Sequence, residues 1–387
     1  MNDLDRLRGQ LDAHDRRLVE LLRERLDTVA DIARLKADGL PFLRDHEREG
    51  ELLARVEGWA RELHLDAFRV REVFRELIAM SLKSQEEALL GRERVERSVR
   101  TAHRAAYQGT EGSYSQLAAR KYFGARADDV ELVGMATFAD AVAAAEAGDV
   151  GYALLPIENT TAGSINQTYD LLLETPLRIV GEEVFHVRHC LLGLPGARAD
   201  GLRQVLSHPQ ALAQCARFLA GLEGVEQVAH ADTAAAAREV GRAADSGRAA
   251  IASEAAGALY GLDVLARDIA DQDENWTRFV VISSLELELD PRIPAKTSLV
   301  FTTPHRHGAL AHCLNVLDRH GLNLTKLESR PVPRRPWEYR FYVDLEGSMA
   351  SESATIAVAE LRRECPSLRV LGSYPARTTA DGAVDRM

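Results

Sequence analysis

Leu4, Leu7, Leu11, Leu18, Leu21, Leu22, Leu26, Val29 and Ile32 recur at helical spacing, and no proline precedes Pro41. This pattern predicts one amphipathic helix from roughly Asp3 to Ala37, stopped by Gly39 and Pro41. A helix of that length spans about 50 Å, more than a monomeric hundred-residue unit can cover. Its apolar stripe therefore calls for a second copy of itself. Shorter helical patterns follow at about Asp45 to Leu63 and Asp66 to Leu90.

At 387 residues the chain has room for two or three domains. Residues 1–92 form the helical segment, and 93–103 are charged with little apolar pattern, which marks a linker. Over 104–285 apolar runs alternate with helical patterns. The runs are Ala105–Gln108, Tyr152–Ile157, Leu177–Val184, Val205–Leu206, Ala249–Ala252 and Phe279–Ile282. Between them lie Ser115–Phe123, Phe138–Ala147, Ile165–Leu173, Gln210–Leu219 and Thr233–Ala244. That rhythm predicts α/β units on mostly parallel strands, with ligands bound beyond the carboxyl ends of strands. Residues 296–375 change again, to strands at Thr297–Thr303, Asn323–Ser329, Tyr339–Leu345 and Leu368–Tyr374 with helices at Gly308–His320 and Glu352–Glu364. The βαββαβ order suits a small ferredoxin-like module. Residues 376–387 are small and polar and read as a disordered tail.

A net charge of −11 argues against a nucleic-acid surface, which needs a clustered basic field. An anionic substrate would then need locally placed Arg or Lys. Cys190, Cys215, Cys313 and Cys365 are far apart, with no metal-ligand spacing, and read as reduced thiols packing as small apolar groups. The start Met1-Asn2-Asp3-Leu4-Asp5 is charged and no apolar run approaches a membrane span, so the expectation is a soluble cytoplasmic protein.

On the long helix Arg25 and Lys36 interrupt the apolar face. Eleven residues make three turns plus about 20°, so both point the same way, roughly 16 Å apart. Arg8 faces about 100° away and can join them only from a second chain. Spacing alone suits a solvated bundle laced with ion pairs. Leu7-Arg8, Leu11-Asp12, Asp15, Arg25, Lys36, Arg44-Asp45, Arg48-Glu49, Ser81 and Gln85 together resemble the all-helical chorismate mutase family, whose fold is an intertwined dimer. The resemblance implies that Arg8 of the partner subunit and Arg25 clamp the two substrate carboxylates. It further implies that Lys36 and Gln85 donate to the breaking ether oxygen, and that Asp45, Arg48, Glu49 and Ser81 hold the ring hydroxyl and organise the pocket. A [3,3] rearrangement needs no nucleophile or proton transfer, only a held conformer and stabilised charge.

Four polar motifs sit where apolar runs end: Gly109-Thr110-Glu111-Gly112-Ser113-Tyr114-Ser115, Pro156-Ile157-Glu158-Asn159-Thr160-Thr161-Ala162-Gly163-Ser164, Ser207-His208-Pro209-Gln210 and Asn275-Trp276-Thr277-Arg278-Phe279. Their hydroxyls and amides describe a cleft that grips a polar anion. Individually they have plainer readings: Ser207-His208-Pro209 as a helix cap, Thr160 and Thr161 as caps, Thr277 as a satisfied core hydroxyl. In this order they closely resemble prephenate dehydratase, a two-lobed α/β domain. The resemblance assigns the leaving hydroxyl to Thr277, which either donates the proton or orients the group. Asn159, Ser207 and Gln214 would line the pocket, with Glu158 and Ser113 close by, and Arg278 is the candidate partner of a substrate carboxylate.

Gly308-Ala309-Leu310 and Glu328-Ser329-Arg330-Pro331 resemble the phenylalanine-binding motifs of the ACT domain attached to dehydratases. A glycine at a helix start lets a carboxylate approach the positive N-terminus. The whole chain resembles the family that fuses chorismate mutase to prephenate dehydratase with a regulatory ACT domain. That implies conversion of chorismate through prephenate to phenylpyruvate, inhibition by L-phenylalanine, a homodimer, and no metal or organic cofactor. Two rivals stand: a monofunctional dehydratase whose helices only dimerise, against which Arg8, Arg25, Lys36 and Gln85 weigh, and a non-enzymatic solute-binding protein, against which Thr277 weighs.

Overall fold

The structure, a computed structural model, describes residues 3–37, 46–91, 103–124, 130–285, 289–290, 293–332 and 338–377, without the side chains of 3, 33–37, 46–47 and 83–91. The chain divides into two compact units, one built on residues 1–97 and one on 98–287 with 295–382.

The first unit is three helices: α1 (Asp3–Ala37), α2 (His46–Glu62) and α3 (Ala67–Gly91). Asp66 starts α3 by accepting the Phe68 and Arg69 N–H groups at 3.0 and 3.2 Å, which satisfies donors that a helix start leaves open. α3 packs on both α1 and α2, burying Val29, Val56 and Ala60. Leu4, Leu7, Leu11 and Leu18 instead remain 50–60% exposed. The leading half of α1 therefore carries an apolar stripe, and among the described residues of this unit Leu7, Leu11 and Leu18 stay largely open to solvent. Gly39, Pro41, Asp45 and nearly all of the linker and tail lie outside the described residues.

The second unit opens with β1 (Arg104–Gln108), α4 (Tyr114–Phe123), β2 (Glu131–Met135), α5 (Phe138–Glu146), β3 (Tyr152–Asn159), β4 (Gly163–Ser164), α6 (Asn166–Glu174) and β5 (Arg178–His186). The chain then crosses to a second sheet through β6 (Cys190–Gly193), β7 (Gln204–Ser207), α7 (Pro209–Gln214), α8 (Ala216–Ala220), β8 (Glu226–Ala229), α9 (Thr233–Ala243), β9 (Arg248–Ala252), α10 (Glu254–Tyr260) and β10 (Asp263–Ala266). It returns to the first sheet as β11 (Trp276–Ser283). The strand orders are β2–β1–β3–β11–β5, with β4 beside β3, and β10–β6–β9–β7–β8.

The expectation of mostly parallel strands is corrected. β1 is parallel to β2 and β3, and β7 to β8 and β9. β11 is antiparallel to β3 and β5, and β6 to β9 and β10. A strand that leaves one lobe and a strand that returns to it run in opposite directions, so each sheet is mixed. This reversal sets Thr277, at the start of β11, directly opposite Asn159, at the end of β3.

The remaining elements are β12 (Ala295–Thr302), α11 (Ala309–Arg319), β13 (Leu324–Pro331), β14 (Tyr339–Glu346), α12 (Glu352–Glu364) and β15 (Ser367–Pro375). They form an antiparallel sheet ordered β13–β14–β12–β15. Strand alternation sends Leu299 and Phe301 into the core under α11 and α12, while Val300 enters the core of the first sheet. There Val300, Tyr342, Leu371 and Tyr374 pack with Ile179, Val280 and Ile282. At Gly372 a Cβ would overlap the Ile179 carbonyl oxygen. One shared core explains why residues 104–285 and 296–375 do not separate into different bodies.

Candidate active site

Beyond the carboxyl end of β1, Gly109 adopts φ +111°, and a Cβ there would sit 3.1 Å from Ser113 Oγ. This tight turn delivers Ser113 as the N-cap of α4. Thr110 donates its N–H to Asp232 Oδ2 at 3.2 Å, and Asp232 caps α9, so the turn ties the two lobes together. Between the lobes lies a cavity of about 480 Å³ lined by Ser113, Asn159, His189, His208, Gln214, Asp232 and Thr277, among others.

Asn159 and Thr277 are its best-determined pair. The Asn159 Oδ1 accepts the Thr161 and Ala162 N–H groups at 3.0 and 2.9 Å and the Thr161 hydroxyl at 2.7 Å. Backbone N–H groups can only donate, so the amide cannot flip. Its Nδ2 therefore donates, to Thr277 Oγ1 at 2.9 Å, Asn275 Oδ1 at 2.8 Å and the Trp276 carbonyl at 3.1 Å. Thr277 Oγ1 is an acceptor in this bond, which leaves its own proton available to a group in the cavity.

Gln214 extends the wall. Its amide nitrogen donates to Thr161 Oγ1 and to Asn159 Oδ1 at 3.4 Å, and its Oε1 accepts from Asn275 Nδ2 at 3.2 Å. His189 Nε2 lies 2.9 Å from the same Oε1, and its Nδ1 lies 3.0 Å from the Tyr114 hydroxyl. Burial lowers the His189 pKa, with the Gln214 bond opposing it in part. A neutral ring with hydrogen on Nε2 satisfies the Gln214 contact, while the Tyr114 hydroxyl gives its single proton to the Arg188 carbonyl at 2.6 Å.

The cavity lining includes the first residues of five helices: Ser113–Ser115 of α4, Thr137 and Phe138 of α5, Ile165 and Gln167 of α6, His208 and Gln210 of α7, and Asp232 and Thr233 of α9. Helix N-termini carry partial positive charge and attract anions. No Lys or Arg is among the described lining residues. The lining does include one carboxylate, that of Asp232. Of these five helices, α6 alone starts without a capping side chain, at Ile165.

In the helical unit Arg25, half-buried, donates through Nη1 to Ser81 Oγ and to the Leu77 carbonyl at 3.0 Å. Desolvation lowers the guanidinium pKa, yet an arginine stays charged near neutrality.

The chain matches the prephenate dehydratase family over residues 105–286 and the chorismate mutase type II family over residues 7–86. It is 39% identical over 375 residues to the bifunctional chorismate mutase/prephenate dehydratase of Escherichia coli K12, covering 97% of each chain. The chain belongs to the bifunctional chorismate mutase/prephenate dehydratase family. It is also 44% identical over 290 residues to the arogenate dehydratase/prephenate dehydratase 2 of Arabidopsis thaliana, covering 71% of this chain and 74% of that one. Among solved structures it resembles a prephenate dehydratase from Arthrobacter aurescens in complex with L-Phe (TM-score 0.64, 28% identity, 73% of this chain and 92% of that one). It likewise resembles GqqA, named as a quorum quenching acylase (TM-score 0.64, 35% identity, 70% of this chain and 98% of that one).

Against the residues expected of a dehydratase, the structure brings Ser113, Asn159, Gln214 and Thr277 to one cavity. Ser207 ends β7 fully buried, donating to the Ile251 carbonyl at 2.6 Å; His208, not Ser207, caps α7 through Nδ1 and Pro209 takes its first position. Glu158 points to the opposite face from Asn159 and pairs with Lys326 Nζ at 2.7 Å.

The expectation for Arg278 is corrected. Its Nε meets Glu182 Oε2 at 2.7 Å, its Nη1 meets Asp344 Oδ2 at 2.6 Å, and its Nη2 meets the Tyr374 hydroxyl at 2.9 Å. Burial alone would lower its pKa, but Asp344 and Glu182 outweigh it and hold the charge. One residue along a strand reverses the facing, so Thr277 and Arg278 cannot serve the same cavity.

Of the residues expected in a mutase site, Arg25 and Ser81 meet. Arg8 and Arg48 are exposed, Arg48 pairing with Glu51 at 3.0 Å, and Glu49 is half-buried. Lys36 and Gln85 lie on α1 and α3 with side chains outside the described set, as is all of Asp45. In the third sheet Gly308 starts α11 at φ +73°, followed by Ala309, buried, and Leu310. Glu328 accepts from Ser164 Oγ at 3.0 Å, and Arg330 donates to the Asn166 carbonyl and Asp170 at 2.7 and 2.8 Å. Ser329 and Pro331 are exposed.

His189, Tyr114, Asn275 and Asp232 were not singled out from the sequence as site residues. Asn275 and Tyr114 stood inside quoted motifs. His189 and Asp232 carry no local pattern beyond following or preceding an apolar run.

Proposed function

We propose that the helical unit rearranges chorismate to prephenate and that the inter-lobe cavity turns prephenate into phenylpyruvate. The hydrogen bond from Asn159 to Thr277 carries the second assignment. Loss of carbon dioxide and hydroxide from prephenate consumes one proton, delivered to the departing oxygen. Thr277 offers that proton as a hydrogen bond, and the Asn159 N–H stabilises charge building on Oγ1. The helix N-termini, α6 foremost, receive the carboxylates. Gln214 and Ser113 position the ring and side chain, and Ser207 and Glu158 support the walls from outside the cavity.

In the mutase site Arg25, fixed by Ser81 and the Leu77 carbonyl, takes one carboxylate and Arg8 of the partner subunit the other. Lys36 and Gln85 donate to the ether oxygen, with Asp45, Arg48 and Glu49 around the ring hydroxyl. The exposed Leu4, Leu7, Leu11 and Leu18 support an intertwined homodimer, since four leucines in one stripe are costly to leave in water.

Residues 1–92, 104–285 and 296–375 correspond to mutase, dehydratase and a ferredoxin-like ACT domain. L-phenylalanine would bind near Gly308, Ala309, Leu310, Ser329 and Pro331, with Glu328 and Arg330 acting from the docked face of the same strand. The family's bacterial members and four free cysteines support a cytoplasmic setting. The test is to supply chorismate at neutral pH and follow prephenate and phenylpyruvate separately. Accumulation of both in sequence is expected. Chorismate left intact while added prephenate is consumed would reduce the helices to a dimerisation element.

A further inference from the structure

Thr277 and Asn159 face each other across β11 and β3, and Arg278 and Glu158 form the next cross-strand pair. Alternation along strands turns the first pair to the cavity and the second to the third sheet. From that side both members of the second pair are held. Asp344 on β14 takes Arg278 at 2.6 Å, and Lys326 on β13 takes Glu158 at 2.7 Å. Asp344 is itself fixed by the Ser298 hydroxyl, which also meets the Tyr374 hydroxyl at 2.6 Å. Further along β13, Glu328 and Arg330 hold Ser164 and Asn166, in the segment that leads from Asn159 into α6. None of these gripping side chains lines the cavity, yet each acts on a residue adjoining the catalytic pair or the α6 start.

We propose that Asp344 and Lys326 are positioning residues for the dehydratase, setting the Asn159–Thr277 spacing by clamping Arg278 and Glu158 from behind. The Asn159–Thr277 bond is at ordinary hydrogen-bond length and weakens steeply with misalignment; small misplacements at a reacting centre are costly in rate. A ligand that shifts β13 or β14 against the first sheet changes that spacing without entering the cavity. Coupling of this kind biases a packed element with two arrangements. The inference rests on Thr277 as the hydrogen-bond donor to prephenate. A cluster that merely glues the sheets together would contribute modest stability and leave the chemistry alone.

The test uses full-length protein carrying Lys326→Met, Lys326→Arg or Asp344→Asn. Lys326→Met and Asp344→Asn are expected to lower prephenate kcat by roughly tenfold or more with KM moved less than about threefold. Mutase turnover should stay at the native level, and Lys326→Arg should restore most of the lost kcat. Native-like kcat in folded Lys326→Met and Asp344→Asn, with only a lowered melting temperature, overturns the proposal. Should Asp344→Asn fail to fold, the Lys326 pair decides alone by the same criterion. A native enzyme inert towards prephenate would remove the reading of Thr277 and this inference together. An active native enzyme with indifferent variants removes only the inference.

Discussion

Asn159 donates to Thr277 at 2.9 Å although 118 residues separate them. The Asn159 amide is locked by the N–H groups of Thr161 and Ala162, so the direction of that bond is settled by groups that can only donate. A threonine thus placed receives one hydrogen bond and has its proton to give.

Thr277→Ala should reduce prephenate kcat by about 10²–10⁴ and leave chorismate turnover intact. Steady-state kinetics on both substrates checks this. Equal loss of both activities in a folded protein would contradict a cavity confined to the second unit.

Asn159→Asp is nearly isosteric but puts an acceptor where Nδ2 donates. It should capture the Thr277 proton and lower kcat by about 10²–10³, the scale of one lost oxyanion-type donor. Rates close to native would mean that the direction of this hydrogen bond is immaterial.

Arg25→Ala should lower chorismate turnover by roughly 10² or more, with prephenate conversion retained. Unchanged mutase kcat/KM would remove Arg25 from that site.

Replacing Leu7 and Leu11 together by aspartate should abolish dimer formation through α1, because two charges on the uncovered stripe cannot be buried cheaply. Sedimentation should give a monomer, with mutase activity lost if Arg8 acts from the partner subunit. A monomer with full mutase activity would confine the site to one chain.

Stability should fall with acid through His189. Burial holds its folded pKa below the ordinary imidazole value, so the unfolded chain binds the proton first. Stability therefore rises with pH wherever that difference exists, is fully present above about pH 6.5, and declines below it. Glu182 and Asp344 add a second acid loss: burial would raise both, but Arg278 and Lys296, joined by the Arg377 N–H at Glu182 and the Ser298 hydroxyl at Asp344, together outweigh it and hold them below the ordinary carboxylate range. Calorimetric melting temperatures between about pH 7 and 5 should slope for the native protein and run flatter for His189→Gln. Parallel curves would show that His189 titrates alike in both states.

Much of the fold was legible because its signal is local. The leucine period wrote α1, and Asp66 wrote the start of α3. β2 was missed because its residues are all exposed or half-buried and its short apolar stretch is broken by Gly134. β6, β8 and β10 are four residues each, too short to show a period. The cavity was legible as four motifs, since Asn159 and Thr277 stand at strand ends and Ser113 at a helix start. Arg278 shows the limit: adjacency to Thr277 in sequence suggested a shared site, and strand alternation forbids it.

By itself the sequence determined which residue types are present, the periods that make helices and strands, and the turns where polar motifs collect. Those properties depend on neighbours a few positions away, which the chain states directly. Only the tertiary structure decided that β11 returns antiparallel to β3, that Asn159 thereby meets Thr277, and that helix N-termini rather than arginines face the cavity. It also decided that Asp344 and Lys326 hold the back of that pair. Such pairings bring together residues a hundred or more positions apart, and they are selected by burial of both faces of a shared sheet, a property no short window of sequence contains.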